Sequence, residues 1–163
     1  MLSKLTIIGL ASGFRMPLSL KKDEHPRVMG TQSTMTNYNG DQYYGSLFWG
    51  SASQEIDMIL DTGSSKCWLP TESCADEECV NDKYISGNSD SFVDGGTEAT
   101  LTYGSGSVTG TWDTDRVCLT SGSDKCSVDT FKFMGVTSAT GMSGLRASGL
   151  CGMKPDLGDS DTY

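Results

Sequence analysis

An aspartate followed by small residues is the feature of this 163-residue sequence with the clearest chemical potential. Asp61, Thr62 and Gly63 follow an apolar segment in which Ile56, Met58 and Leu60 share one face of a strand. Gly63 lets the backbone approach closely and supplies an N–H donor near the carboxylate. A carboxylate held in this way can take up or release a proton in acid–base chemistry. The alternative is an ordinary turn, in which the aspartate caps its own backbone.

A glycine-rich hairpin is the second feature. Strand-like residues 99–103 and 107–112 flank Gly104, Ser105 and Gly106. Glycines at such a tip favour a tight turn between antiparallel strands. Tyr103 at its base and Trp68 earlier in the chain could line a site, although core packing is the alternative for both aromatic residues.

The composition indicates an all-β fold. Apolar runs are short and separated by turn-forming residues, including 20 glycines, and no stretch with helical spacing exceeds about three turns. The net charge is −9, although five of the 12 basic residues lie within positions 1–27. An acidic body repels polyanions, so nucleic acid is not an expected partner. No apolar run reaches the roughly 18–20 residues of a membrane-spanning helix, and no membrane partner is expected.

Six cysteines in a short chain favour an oxidising compartment. We expect disulfides between Cys74 and Cys79, and between Cys118 and Cys126, because each pair flanks a short turn-like stretch. The remaining two cysteines, at positions 67 and 151, lie in apolar segments; we interpret them as buried free thiols, with a third bridge as the alternative. No metal is expected, because the cysteines form no C-x-x-C pair and the sole histidine lies outside their cluster.

Several segments, in order, resemble the pepsin-like aspartic proteases. Residues 37–45 are similar to the opening strand of that family, and residues 59–65 with 68–70 are similar to its active-site stretch. Residues 103–110 resemble the flap that closes over substrate, and residues 149–153 resemble the strand behind the active-site loop. The resemblance spans roughly residues 14–155. It implies an all-β lobe of twisted antiparallel sheets, barrel-like in shape, with a flap hairpin.

The resemblance also assigns roles by position. Asp61 would be a catalytic carboxylate, and Ser64 would hydrogen-bond it from outside. The wider set has two parts: active-site support from Thr62, Gly63 and Ser64, and flap or substrate contacts from Trp68, Tyr103, Gly104, Ser105 and Gly106. The expected partner is a peptide or protein substrate, and the chemistry requires neither a cofactor nor a metal.

The sequence departs from the family in having one Asp-Thr-Gly, whereas a pepsin-like enzyme has two lobes that each give one aspartate. Four interpretations stay open: one lobe of a longer enzyme whose C-terminal lobe is missing here, a homodimer like the retropepsins, a non-catalytic peptide-binding lobe, and a small structural disulfide protein. The first predicts a zymogen that is secreted or lysosomal or vacuolar.

The same interpretation divides the chain into three segments. Residues 1–13 are a candidate signal peptide, with a buried strand or an incomplete gene start as the alternative. Residues 14–36 form a short propeptide-like segment, in which Lys21 or Lys22 could reach Asp61 as an inhibitory cation. Residues 37–163 form the N-terminal protease lobe.

Overall fold

The computed structural model describes residues 34–40, 42–75, 77–122 and 125–154. The candidate signal peptide, residues 14–33 of the propeptide-like segment and both candidate inhibitory lysines lie outside the described residues. The first strand begins at Thr36, one residue before the predicted start of the lobe.

Nine strands and one short 3₁₀ turn make up the regular structure of the described residues, which contain no α-helix. The strands are β1 (Thr36–Tyr38), β2 (Gln42–Trp49), β3 (Gln54–Asp61), β4 (Cys67–Pro70), β5 (Val93–Tyr103), β6 (Gly106–Asp115), β7 (Val117–Cys118), β8 (Phe131–Thr140) and β9 (Gly149–Gly152). The 3₁₀ turn covers Ser86–Asn88. The predicted all-β fold is confirmed. No helix in these ranges is long and apolar enough to cross a bilayer.

All nine strands belong to one sheet, in the order β1-β2-β3-β9-β4-β8-β6-β5, with β7 paired to β2. The sheet is mixed, because β3 pairs with β9 and β4 with β8 in parallel, whereas the prediction was of antiparallel, barrel-like sheets. It is also open, with β1 and β5 at its edges. Parallel strands need a long connection, because a short hairpin can join only antiparallel strands. Long stretches of chain separate β3 from β9 and β4 from β8, so these pairs can be parallel.

The sheet buries apolar side chains on both faces. One cluster gathers around Trp49, Tyr84 and Phe133, all fully buried, and includes Ile56 and Met58 from β3. The second cluster contains Trp68, Val108, Met134 and Val136. Successive side chains of a strand point to opposite faces, so Phe133 and Met134 on β8 join different clusters. Both clusters contact the strands that surround Asp61, which gives that region a rigid support.

Three disulfides lie within the described residues. Cys74 is joined to Cys79 and Cys118 to Cys126, in the pairings expected from the sequence. Cys67 is joined to Cys151, so the preferred interpretation of these two residues as free thiols is wrong. The reason is the strand register: β4 and β9 run antiparallel with Cys67 directly opposite Cys151, where side chains are close neighbours.

Candidate active site

Asp61 is the last residue of β3, and two backbone contacts hold it there. In the sheet it stands opposite Gly152 of β9, and its carbonyl oxygen accepts a hydrogen bond of 2.7 Å from the Met153 amide. Its side chain is partly exposed, and Oδ1 accepts a hydrogen bond of 2.8 Å from the Gly63 amide. The carboxylate is thus oriented by the backbone of its own turn.

The chain after β3 is held against β9 and the residues that follow it. Gly152 donates its amide hydrogen to the Lys66 carbonyl at 3.0 Å, and the Lys154 amide donates to the Ser64 carbonyl at 2.9 Å. A Cβ atom at position 152 would lie 2.6 Å from both the Lys66 nitrogen and the Ser64 oxygen. Only glycine permits this approach, so Gly152 helps to fix the turn that carries Asp61.

The small residues after Asp61 differ in their contacts. Thr62 and Gly63 are exposed, and Gly63 makes the hydrogen bond to Asp61. The Ser64 hydroxyl oxygen is buried and has no hydrogen-bond partner within the described residues. The hydrogen bond from Ser64 to Asp61 that the resemblance implied is therefore not formed, because the turn presents the Gly63 amide to the carboxylate instead.

Tyr103 and Trp68 join the hairpin to the strand that follows the Asp61 turn. Trp68 Nε1 donates a hydrogen bond of 2.9 Å to the Tyr103 hydroxyl, and the two ring centroids lie 6.3 Å apart. Burial raises the pKa of Tyr103, the hydrogen bond from Trp68 offsets part of this rise, and the negative charge of Asp61 adds a smaller increase. The phenol therefore keeps its proton, which is free for an acceptor in the groove because the hydroxyl oxygen already accepts from Trp68.

The hairpin of β5 and β6 turns at Gly104 and Ser105, both exposed, while Gly106 is already paired with Tyr103 as the first residue of β6. The tip is thus two residues long rather than the three proposed from sequence. Gly106 packs closely against the Thr140 carbonyl of β8 and leaves no space there for a side chain. The base of the hairpin is consequently anchored in the sheet, whereas its tip is exposed.

An open groove separates the Asp61 turn from the hairpin. Its volume is about 460 Å³, and residues 63–66 form one wall while residues 100–103 of β5 form the other. Lys154 also lines the groove. Of the residues proposed from sequence, Gly63, Ser64 and Tyr103 line this groove, whereas Trp68 does not line it but donates a hydrogen bond to Tyr103. No group of three His, Cys, Asp or Glu side chains suited to a metal occurs in the part of the chain that the structure describes.

Sequence reasoning missed three residues of this region. Lys66 and Lys154 line the groove, and Gly152 makes room for the crossing of β9 behind the turn. The glycine was noted only as part of a segment that resembles a family motif. The lysines carry no local signal, because their position depends on contacts between segments about 90 residues apart, such as that between Ser64 and Lys154.

Comparison with known proteins places the chain in a family. The family model described as eukaryotic aspartyl protease matches residues 42–156. The chain is 33% identical to pepsin A of Gallus gallus over 118 residues, which is 69% of this chain and 32% of that protein. It is 41% identical to cathepsin D of Chionodraco hamatus over 83 residues, or 49% of this chain and 21% of that protein.

Vacuolar protease A of Neurospora crassa is 35% identical over 86 residues, or 52% of this chain and 22% of that protein. The chain thus spans about a fifth to a third of the length of these relatives. The matched region contains β2 to β9, the Asp61 turn and the hairpin that faces it. The chain belongs to the eukaryotic aspartyl protease family.

Proposed function

We propose that this chain is one lobe of an aspartic endopeptidase and that Asp61 supplies one of the two catalytic carboxylates. The observation that carries the proposal is the placement of Asp61. Its carboxylate lies at the end of a sheet strand and is oriented by the Gly63 amide, and Gly63 lines the groove whose other wall includes Tyr103 of the hairpin.

The chemistry follows from the properties of paired carboxylates. Two aspartates at close range cannot both ionise cheaply, so the pair holds one proton. The charged member takes a proton from a water molecule between them, and the protonated member donates a hydrogen bond to the carbonyl oxygen of the peptide. The water oxygen attacks the carbonyl carbon, and the resulting tetrahedral intermediate collapses as the amine is protonated. Because the shared proton must be present, activity should favour acid pH.

The second carboxylate is the main requirement that this sequence does not meet by itself, since it contains a single Asp-Thr-Gly. We propose that a C-terminal lobe supplies the second aspartate. There are two alternatives: a second copy of this chain supplies the second aspartate, or the lobe binds peptides without cleaving them. A pepstatin-like inhibitor separates these cases. A two-lobed enzyme binds one inhibitor per Asp61, a homodimer binds one per two chains, and a non-catalytic lobe binds peptides that remain intact.

The proposed substrate is an extended peptide, cut between apolar residues. Among the described strands, β5 lies at an edge of the sheet and pairs only with β6, so an extended peptide could add to it as a further strand. We propose a secreted or a lysosomal or vacuolar location for the enzyme. Three disulfides support an oxidising route through the cell.

The test is Asp61→Asn in the two-lobed protein, assayed with a peptide that the unmodified protein cleaves. The substitution keeps the size of the side chain and its acceptor for the Gly63 amide but removes the charge that activates water. We expect loss of cleavage with an unchanged circular dichroism spectrum and an unchanged unfolding midpoint. Hydrolysis by this variant at the native rate would rule out the proposed role.

The matched control is Asp57→Asn on the same strand. Asp57 Oδ1 accepts a hydrogen bond of 2.8 Å from the Ser46 hydroxyl, an interaction that asparagine can retain, and Asp57 does not line the groove. This variant makes the same change in charge, and we expect it to cleave the peptide normally. Equal loss of cleavage in both variants would indicate a general effect of charge rather than a role for Asp61.

A further inference from the structure

The disulfide between Cys67 and Cys151 lies at the base of the turn that carries Asp61. Asp61 ends β3 opposite Gly152 of β9, and Cys151 is the residue before Gly152. Cys67 begins β4, which is the strand that the chain enters when it leaves the turn. Its register partner on β9 is Cys151. Both ends of the turn therefore pair with consecutive residues of β9, and the bridge fastens one of these ends covalently.

Hydrogen bonds from residues 152–154 hold the turn to β9. Their amides donate to the carbonyl oxygens of Lys66, Asp61 and Ser64, at 3.0, 2.7 and 2.9 Å in that order. All three donors lie at the end of β9 or just after it, because this strand has four residues and ends at Gly152. The ends of short elements open more readily than their centres. The turn thus depends on a stretch of chain that hydrogen bonds alone would hold weakly.

The bridge strengthens this stretch because it joins β9 to a strand inside the sheet. β4 pairs with β8 on one side and with β9 on the other. Of the three disulfides, this is the one that links β9 to another strand. The residue after Cys67 is Trp68, which donates the hydrogen bond to Tyr103 of the hairpin. The bridge consequently ties the Asp61 turn to the strand that contacts the hairpin.

We propose that the bridge between Cys67 and Cys151 is a positioning element of the catalytic site. It keeps β9 against β4, so that the Asp61 carboxylate holds a constant place relative to the hairpin. Because both cysteines are buried, they act through the backbone of residues 152–154 rather than by touching the substrate. The inference rests on the proposed function, because it assigns positioning residues to the same site.

A positioning role predicts an effect that added stability alone does not. A disulfide stabilises mainly by restricting the unfolded chain, and all amides that exchange only on global unfolding share that effect. A covalent tie near the end of β9 also suppresses local opening there, which exposes the amides of residues 152–154 and not those elsewhere in the sheet. Catalysis is sensitive to such opening, because a misplacement of about 1 Å in a reacting group can cost about 100-fold in rate.

The first experiment measures amide hydrogen exchange by nuclear magnetic resonance in the chain that carries Cys67→Ala and Cys151→Ala together. Sucrose is added at a concentration that keeps this variant folded, as judged by circular dichroism. The reference is the Gly50 amide, which donates to the Arg116 carbonyl at 2.8 Å and lies beyond the end of β2 that is remote from Asp61. We expect exchange at residues 152–154 to accelerate at least about tenfold more than exchange at this reference.

Two further variants separate the covalent tie from stability and from packing. Cys118→Ala with Cys126→Ala removes the bridge at β7, and it should leave the exchange ratio unchanged when urea is used to compare the variants at equal stability. Cys67→Val with Cys151→Ala returns apolar volume to the core without a covalent tie, and it should open locally as the double alanine variant does. Native exchange in this valine variant would assign the effect to packing and would overturn the role of the bridge.

The second experiment measures cleavage by the two-lobed protein with the same variants under the same conditions. A displaced carboxylate weakens the chemical step more than it weakens peptide binding, which extends along the whole groove. We expect loss of the Cys67–Cys151 bridge to lower kcat at least about tenfold, with KM within about twofold of the native value. The variant that lacks the Cys118–Cys126 bridge should keep the native kcat and KM.

Two results would overturn the inference while leaving the proposed function intact. The first is exchange at residues 152–154 that accelerates no more than exchange at Gly50. The second is a native kcat without the Cys67–Cys151 bridge, in a protein whose Asp61→Asn variant is inactive. Failure of the native two-lobed protein to cleave any peptide would instead reject the proposed function, and the exchange ratio alone would then decide whether the bridge holds the Asp61 turn.

Discussion

Replacing Tyr103 by phenylalanine removes a single oxygen atom and tests how the hairpin is held near Asp61. That oxygen accepts the hydrogen bond of 2.9 Å from Trp68 Nε1. Trp68 is only 3% exposed, so its indole N–H has little access to water once its acceptor is lost. The contact between the two rings does not involve the hydroxyl and should remain.

The magnitude follows from the cost of an unsatisfied buried donor. Leaving such a donor without a partner costs about 1–3 kcal/mol, whereas a hydrogen bond between groups that water can reach contributes less. Tyr103 is partly exposed while Trp68 is buried, so we expect a loss near the lower half of that range, about 1–2 kcal/mol in the free energy of unfolding. Peptide binding should weaken as well, because the hairpin is released from β4.

A double-mutant cycle measures the interaction itself. Urea unfolding, followed by far-ultraviolet circular dichroism, is compared for the native protein, Tyr103→Phe, Trp68→Phe and the double variant. We expect a coupling energy of about 1 kcal/mol between the two sites. Tyr43→Phe is the matched control, since Tyr43 is 45% exposed on β2, and it should change stability by less than about 0.5 kcal/mol.

A coupling energy below about 0.3 kcal/mol would refute the reasoning, because it would mean that the two side chains act independently. Unchanged stability of Tyr103→Phe together with unchanged peptide binding would refute it equally. Either result would show that the hairpin is held by the β5–β6 and β6–β8 pairings alone.

Further substitutions test the support around the site. Changing Cys67 and Cys151 together to alanine should lower the free energy of unfolding by about 4 kcal/mol, because their bridge spans a sequence separation of 84 residues. Urea unfolding of the oxidised proteins measures this loss, and equal stability would contradict the bridge. The backbone amide of Ala139 holds the pKa of Glu78 below its usual value of 4.5, so this stabilisation is present above that pH and is lost as the pH falls through the lower, folded-state pKa. Glu78→Gln should therefore flatten the decline in stability between pH 5 and about pH 2, and an unchanged decline would contradict this. Burial raises the pKa of Asp113, so its contribution has the opposite sign: it favours folding at low pH and is lost as the pH rises through the folded-state pKa. Asp113→Asn should gain stability relative to the native protein as the pH rises from 3 to 7. Urea unfolding across that range measures this difference, and a loss of relative stability would contradict the prediction. Gly152→Ala should cost about 1–3 kcal/mol and weaken peptide binding, whereas Gly144→Ala, where a Cβ meets nothing within 4 Å, should cost little; equal effects would contradict the close approach of β9.

Features that depend on neighbouring residues could be predicted from the sequence. The turn at Asp61 and Gly63 is predicted by an apolar strand that ends in small residues. The hairpin that turns at Gly104 is predicted by the glycines at its tip. The disulfide between Cys74 and Cys79 closes over a sequence separation of only five residues. In each case the chain can make the contact without information from distant segments, which is why the local pattern is sufficient.

Contacts between distant segments were left open, or were predicted wrongly, from the sequence. A hydrophobic cysteine has the same local pattern whether it is free or bridged, so only the register of β4 and β9 decided that Cys67 and Cys151 are joined. The Ser64 hydroxyl was assigned to Asp61 by resemblance, yet the geometry of the turn presents the Gly63 amide instead. Neither outcome follows from residue type alone.

Strand periodicity and turn chemistry act over a few residues, so the strands and the position of Asp61 at the end of one of them could be read from local sequence. The insertion of β9 between β3 and β4, which brings Lys154 next to Ser64, could not. This insertion is stabilised by backbone pairing and close glycine packing between remote segments, and such contacts leave no periodic signal in the chain.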